Sequence, residues 1–117
     1  MAPLLIVVPL LAMASPPHST AADVSSAHVQ RGFVVAEVRC KHCHFLIRSN
    51  RKIGPGLLGV FDRAPTISGV PFARWDAEAL DRWLTNPRAV KPNTEMRTPP
   101  IAKRDRADVI AWMATNY

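Results

Sequence analysis

Five consecutive residues, Cys40-Lys41-His42-Cys43-His44, hold both cysteines of the chain and two of its four histidines. Thiols and imidazoles at this spacing are open to four chemistries. A disulfide between positions 40 and 43 closes too short a loop to staple much of the chain. A thioredoxin-like redox pair needs a surrounding βαβ pattern, and none is visible. Zinc needs further Cys or His ligands downstream, yet no histidine follows His44. The fourth chemistry is covalent haem attachment, and it accounts for the spacing. Two thiols add across the two vinyl groups, and the adjacent imidazole reaches the iron from one face. His42 lies within the loop and cannot reach the iron when His44 does, so it is read as exposed. His18 and His28 precede the motif.

With His44 on one face of an iron, the other face needs a ligand or stays open, and thioether sulfur is the candidate. Met1 and Met13 belong to the N-terminal segment, and Met113 lies on the apolar stripe of a helix, where core packing explains it. Met96 sits in a segment stiffened by Pro92 and by Pro99-Pro100. On spacing alone it is equally a ligand or a partly exposed loop methionine. Paired Met and His ligands raise a haem's reduction potential.

The elements that must position these groups read as helices. Ser25 to Cys40 forms a helix running into the motif, with Asp23, Ser25 or Ser26 as N-cap and Val29, Phe33, Ala36 and Cys40 as its buried stripe. Gly32 in mid-helix lowers helix propensity and suggests close packing. Phe45 to Arg74 reads as loops with at most one helical turn. A second helix starts at Asp76 as N-cap, carries a Trp75–Leu80 staple and ends at Asn86-Pro87. Arg88 to Ile101 is expected to be an extended, proline-punctuated loop. Asp105 to Asn116 forms the last helix, with Val109, Trp112, Met113 and Asn116 aligned on one side. Three helices around long loops provide too little core without something in the middle, so a bound apolar group is expected to help hold the chain together.

Pro3 to Ala14 is an apolar run of twelve residues. That is short of the ~20 residues of a spanning helix. It fits the hydrophobic region of a secretory signal, with cleavage after Ala21 or Ala22, although no Lys or Arg precedes it. Residues 1–22 are therefore expected to be a signal peptide and residues 23–117 one exported or periplasmic domain, with no stable membrane span after cleavage. The net charge of +6 falls wholly after residue 22. Most basic residues are interleaved with acids, as in Arg104-Asp105-Arg106, and no nucleic-acid-binding pattern is present, so nucleic acid is not an expected partner.

Together these residues resemble class I cytochrome c over nearly all of residues 23–117. Gly32 lies eight residues before Cys40, where that family has its helix-crossing glycine, and Trp112 stands for the aromatic that packs on it. Gly54-Pro55-Gly56-Leu57-Leu58-Gly59-Val60-Phe61-Asp62-Arg63 is similar to the family's Gly-Pro-x-Leu-x-Gly-x-x-x-Arg. Trp75 with Leu80, then Leu84-Thr85-Asn86-Pro87 and Pro92-Asn93-Thr94-Glu95-Met96, match its later motifs. The resemblance implies an all-α cytochrome c fold, three to four helices with long loops around one covalent haem c with its iron. It implies attachment through Cys40 and Cys43, iron ligation by His44 and Met96, and a Pro55 carbonyl bonded to the His44 ring. It further implies Arg63 and Trp75 near a propionate and Trp83 against the haem. Ala36, Asp62, Asn93 and the Thr98-Pro99-Pro100 segment depart from the family pattern. The segment between Arg63 and Trp75 is shorter than in mitochondrial members, which implies a more exposed propionate.

The implied function is single-electron transfer with no bond chemistry. Val60, Phe61, Leu80, Trp83 and Leu84 are the expected pocket residues. Arg39, Lys41, Arg48, Arg51, Lys52, Arg88, Lys91 and Arg97 are expected to surround the haem edge and steer acidic redox partners, such as a membrane oxidase or a periplasmic dehydrogenase. The alternatives are a haem-bearing electron-transfer subunit of a periplasmic dehydrogenase or oxidase complex, and a ligand-binding haem enzyme or sensor with an open iron site.

Overall fold

The computed structural model describes residues 1–13 and 21–117. The end of the apolar run, His18 and the small residues at 19–20 of the expected cleavage site lie outside the described residues. Met1 to Met13 are exposed and form no helix or strand. Four helices follow: α1 (Ala21–Arg39), α2 (Ala77–Thr85), α3 (Pro87–Val90) and α4 (Lys103–Met113). No strand occurs among the described residues, as expected for an all-α fold.

Helix α1 starts earlier than its polar residues suggest. Ala21 and Ala22 carry the highest helix propensity, so Asp23, Ser25 and Ser26 lie inside the helix rather than at its N-cap. Cys40 continues the last turn by donating its amide to the Ala36 carbonyl at 2.9 Å. Of the expected stripe, Ala36 and Cys40 are buried and Val29 is partly buried, whereas Phe33 is 38% exposed. Phe33 lies against Trp112, ring centroids 5.7 Å apart, so it covers the edge of the core instead of filling the space beside Ala36.

Helices α1 and α4 form the main interhelical contact. Gly32 is the reason that contact is close. A Cβ at this position would overlap the Asp108 carbonyl of α4 and lie 2.9 Å from the Trp112 Cβ. Beside the crossing, Asp108 is 1% exposed. Its carboxylate meets His28 Nδ1 at 2.5 Å and accepts from Arg31 Nε at 3.2 Å. Burial alone raises such a carboxyl's pKa, but the His28 and Arg31 hydrogen bonds and charges outweigh it and hold Asp108 below the usual carboxylate range.

A lowered folded pKa means stability that is present above the unfolded value and lost as pH falls through the folded one. Stability from this group is therefore expected to decline below pH ~4, the ordinary carboxylate value. Asp108→Asn should cost about 1–2 kcal/mol at neutral pH and flatten the acid limb, read as denaturant midpoint against pH. Parallel acid limbs in the two proteins would show that the buried carboxylate does not carry this pH dependence.

Asp76 caps α2 as expected, its carboxylate accepting from the Ala79 amide at 2.8 Å. Ala79, Leu80, Trp83 and Leu84 form its buried face. Pro87 ends that helix and starts another. Its fixed φ suits a first helical position, so Pro87–Val90 is a helical turn where an extended loop was expected. Helix α4 begins two residues before the expected start and ends at Met113, which leaves Asn116 beyond it. Asn116 Nδ2 donates to the Leu46 and Leu57 carbonyls at 2.7 and 3.2 Å, and its own carbonyl accepts from Gly59. It clamps the loop after the cysteine motif to the end of α4, a role the helical stripe did not suggest. Arg106 Nε, reaching Asp81 at 2.9 Å, ties α4 to α2.

Phe45 to Arg74 contains no helix. Asp62 N donates to Trp75 O at 2.8 Å and Trp75 N to Arg63 O at 2.9 Å, so the chain returns on itself and sets Arg63 beside Trp75. Asp62 adopts φ 62°, the left-handed conformation that glycine adopts freely and Asp tolerates, which accounts for a non-glycine at that position.

Candidate haem site

One cavity of about 390 Å³ gathers most of the site residues expected from the sequence. Cys40, Cys43, His44, Pro55, Arg63, Trp75, Trp83 and Met96 all line it. They arrive from the end of α1, the loop after it, α2 and the segment following α3.

The end of α1 delivers the thiols. Cys43 and His44 both return their amides to the Cys40 carbonyl, at 3.1 and 3.0 Å, so the motif is one tight turn continuing the helix. Both cysteines are free; Cys40 is buried and Cys43 exposed. Burial pushes the Cys40 thiol up to about 11, with Arg39 opposing and Cys43 adding to the shift. Among the described residues, no three His, Cys, Asp or Glu side chains come together as a metal-holding group.

His44 is oriented by its neighbours. Its Nδ1 lies 2.6 Å from the Pro55 carbonyl. A carbonyl has no proton to give, so Nδ1 carries the hydrogen and Nε2 is left as the bare nitrogen suited to a metal. Gly54 makes room for the ring, since a Cβ there would overlap the imidazole.

Met96 is half-buried and held from two sides. Its amide donates to the Thr94 hydroxyl at 3.2 Å, and its sulfur accepts from the Trp83 indole N–H at 3.1 Å. This indole-to-sulfur bond was not legible in the sequence, where the resemblance implied only that Trp83 lies against the haem. A thioether has a second lone pair, which this bond leaves available. Trp83 also meets Trp75 edge-on, centroids 5.4 Å apart, in an aromatic wall that continues to Phe72.

Of the expected apolar lining, Val60, Leu80, Trp83 and Leu84 face the cavity; Phe61 does not and packs on the core from outside. Met113, expected as core alone, is buried and lines the cavity as a second thioether. Its helical register with Val109 and Trp112 signalled burial, but a stripe cannot tell core from cofactor wall.

The cavity suits a large planar group with an apolar body and anionic substituents. Two free thiols, a correctly protonated imidazole and apolar walls supply the first requirement. Arg63 supplies the second, because its Nε is buried and has no hydrogen-bond partner among the described residues. A buried unpaired cationic donor is costly, and an anion entering the cavity relieves it.

Comparison with known proteins decides the family. Over 96 residues the chain is 34% identical to cytochrome c of Euglena viridis, covering 74% of this chain and 94% of that protein. The chain belongs to the cytochrome c family. It is 32% identical over 101 residues to cytochrome c 2.1 of Caenorhabditis elegans, covering 78% of this chain and 91% of the relative. It is also 36% identical over 66 residues to cytochrome c2 iso-2 of Magnetospirillum molischianum, covering 49% and 68% of the two chains. No protein-family model matches the chain. As a cytochrome c it carries one covalent haem c with its iron and is an electron-transfer protein, not an enzyme. Among the described residues, no helix is long and apolar enough to cross a membrane.

Proposed function

We propose that this cytochrome c is a diffusible single-electron carrier whose haem is held by Cys40 and Cys43 and ligated by His44 and Met96. The observation that carries the reading is the convergence, on one cavity, of Cys40, Cys43, His44 with its Nδ1 bonded to the Pro55 carbonyl, Met96, and Arg63 with its unpartnered Nε. Cys40 and Cys43 would each hold the haem by adding a thiol across a vinyl double bond, the thiol proton going to the neighbouring carbon, so that no oxidant would be needed. When bound, the haem supplies an iron that takes up and gives back one electron.

The chain's own residues do the rest. Pro55 holds the His44 proton on Nδ1, and Trp83 holds the Met96 sulfur, so both ligating atoms are placed before iron arrives. Val60, Leu80 and Leu84 exclude water and favour the less charged ferrous state. Arg63 and Trp75 line the cavity and would hold the propionates. Exposed Arg39, Arg51 and Arg97 line the cavity mouth and attract acidic redox partners. Residues 1–22 act as an export signal to the periplasm or an equivalent compartment.

The test is the fate of the haem in acidified organic solvent, with protein made alongside the haem-attachment machinery. Haem should remain with the protein, and a Cys40→Ala, Cys43→Ala double variant should release it. Haem that extracts freely from the parent protein would sink the attachment reading. A tight complex with a dehydrogenase or oxidase on co-purification would replace the shuttle by a resident haem subunit.

A further inference from the structure

Two half-buried cations line the cavity without an acid to balance them. One is Arg63. The other is Lys91, which the sequence placed with the basic residues of the exposed rim but which is only partly exposed. Its backbone is pinned on both sides: Lys91 N donates to Pro87 O at 2.9 Å, and Lys91 O accepts from Thr94 N at 3.0 Å. The side chain turns towards the 64–74 loop. A Cβ at Gly69, which sits at φ 79°, would lie 3.4 Å from Lys91 Nζ. Ile67 and Thr66 of the same loop line the cavity with it. Among the described residues, the ion pairs of the protein are His28–Asp108, Arg31–Asp108, Lys41–Glu37 and Arg106–Asp81, and none engages Lys91. The other charged groups lining the cavity are Arg39, Arg51 and Arg97, all exposed, and a single carboxylate, Glu95, also exposed.

A partly exposed lysine lining a largely apolar cavity, with no acid paired to it, can serve an incoming anion as its counter-charge. The two carboxylates of a haem are the acids this cavity would receive. We propose that Lys91 is a second propionate-binding cation beside Arg63, taking the side that the short 64–74 loop leaves uncovered. It is a positioning residue: it holds a carboxylate ionised and docked, and touches neither iron nor ligand. The proposal rests on the haem reading of this cavity, which solvent extraction tests separately and first.

The experiment is the midpoint potential of the haem-loaded protein followed against pH. Ionisation of a propionate bends that curve, and a cation beside the carboxylate moves the bend to lower pH. In Lys91→Gln the bend should move up by about one pH unit, the lower end of the effect of a charge within a few ångströms. Lys91→Arg, which keeps the charge, should restore it. Lys103→Gln, at the exposed start of α4, should leave it where it is. Should Lys91→Gln fail to accumulate, Lys91→Leu, which keeps most of the aliphatic stem, serves the same titration. A bend at the parental pH in the uncharged variant, or an equal shift in Lys103→Gln, would overturn the proposal and make Lys91 a solvated surface charge.

Discussion

Met96→Ala is expected to lower the reduction potential by something on the order of 0.1–0.3 V, part of the ~0.8 V range that axial ligands span. It should also let the reduced protein bind carbon monoxide. The physical reason is the loss of a soft sulfur ligand that favours ferrous iron and fills the face opposite His44. The cavity holds two thioethers, so the matching variant is Met113→Leu. Met113 lies on α4 among core residues and is 4% exposed, whereas the Met96 sulfur is aimed by the Trp83 indole at 3.1 Å. Met113→Leu is therefore expected to leave potential and spectrum nearly unchanged. The oxidised and reduced visible spectra and a potentiometric titration check both variants. If Met96→Ala keeps the parental potential and stays inert to carbon monoxide, the distal ligand is another group.

Gly32→Val should destabilise the haem-loaded protein by at least about 3 kcal/mol, at or beyond the upper end of what core overpacking costs. That is a large share of the total stability of a small domain. The clash is with the backbone carbonyl of Asp108, which cannot rotate away as a side chain can. The helices must therefore separate. Separation also draws Asp108 from His28 and Arg31, leaving a carboxylate that is 1% exposed without its partners. Trimming Trp112 should not rescue the variant, because the nearest atoms to the new Cβ belong to the Asp108 main chain. Denaturant unfolding followed at the haem absorbance gives the number. A loss under ~1 kcal/mol, the ordinary range for a tolerated change, would mean that α1 and α4 can slide apart freely.

The sequence by itself determined the chemistry of this protein and most of its helices. Cys-x-x-Cys-His is a local motif whose geometry is set within one turn, so no distant residue is needed to read it. Asp76 and the Trp75–Leu80 pair mark α2 because caps and staples act within a few residues. Gly32 signalled close packing because nothing else explains a glycine in mid-helix.

Tertiary structure alone decided the rest. Pro87 ends one helix and begins another, and it is buried where an extended loop was expected. Asn116 has helical register but serves as a clamp for Leu46 and Leu57, which lie 70 and 59 residues away in the chain. Val60 and Phe61 are adjacent and equally apolar; only the turn of the chain decides that Val60 faces the cavity and Phe61 does not. The Trp83–Met96 bond and the Lys91 ammonium against the Gly69 loop share the same cause. Periodicity reports which side of an element is buried. It does not report which group from another element waits on that side, because that depends on where the long loops return.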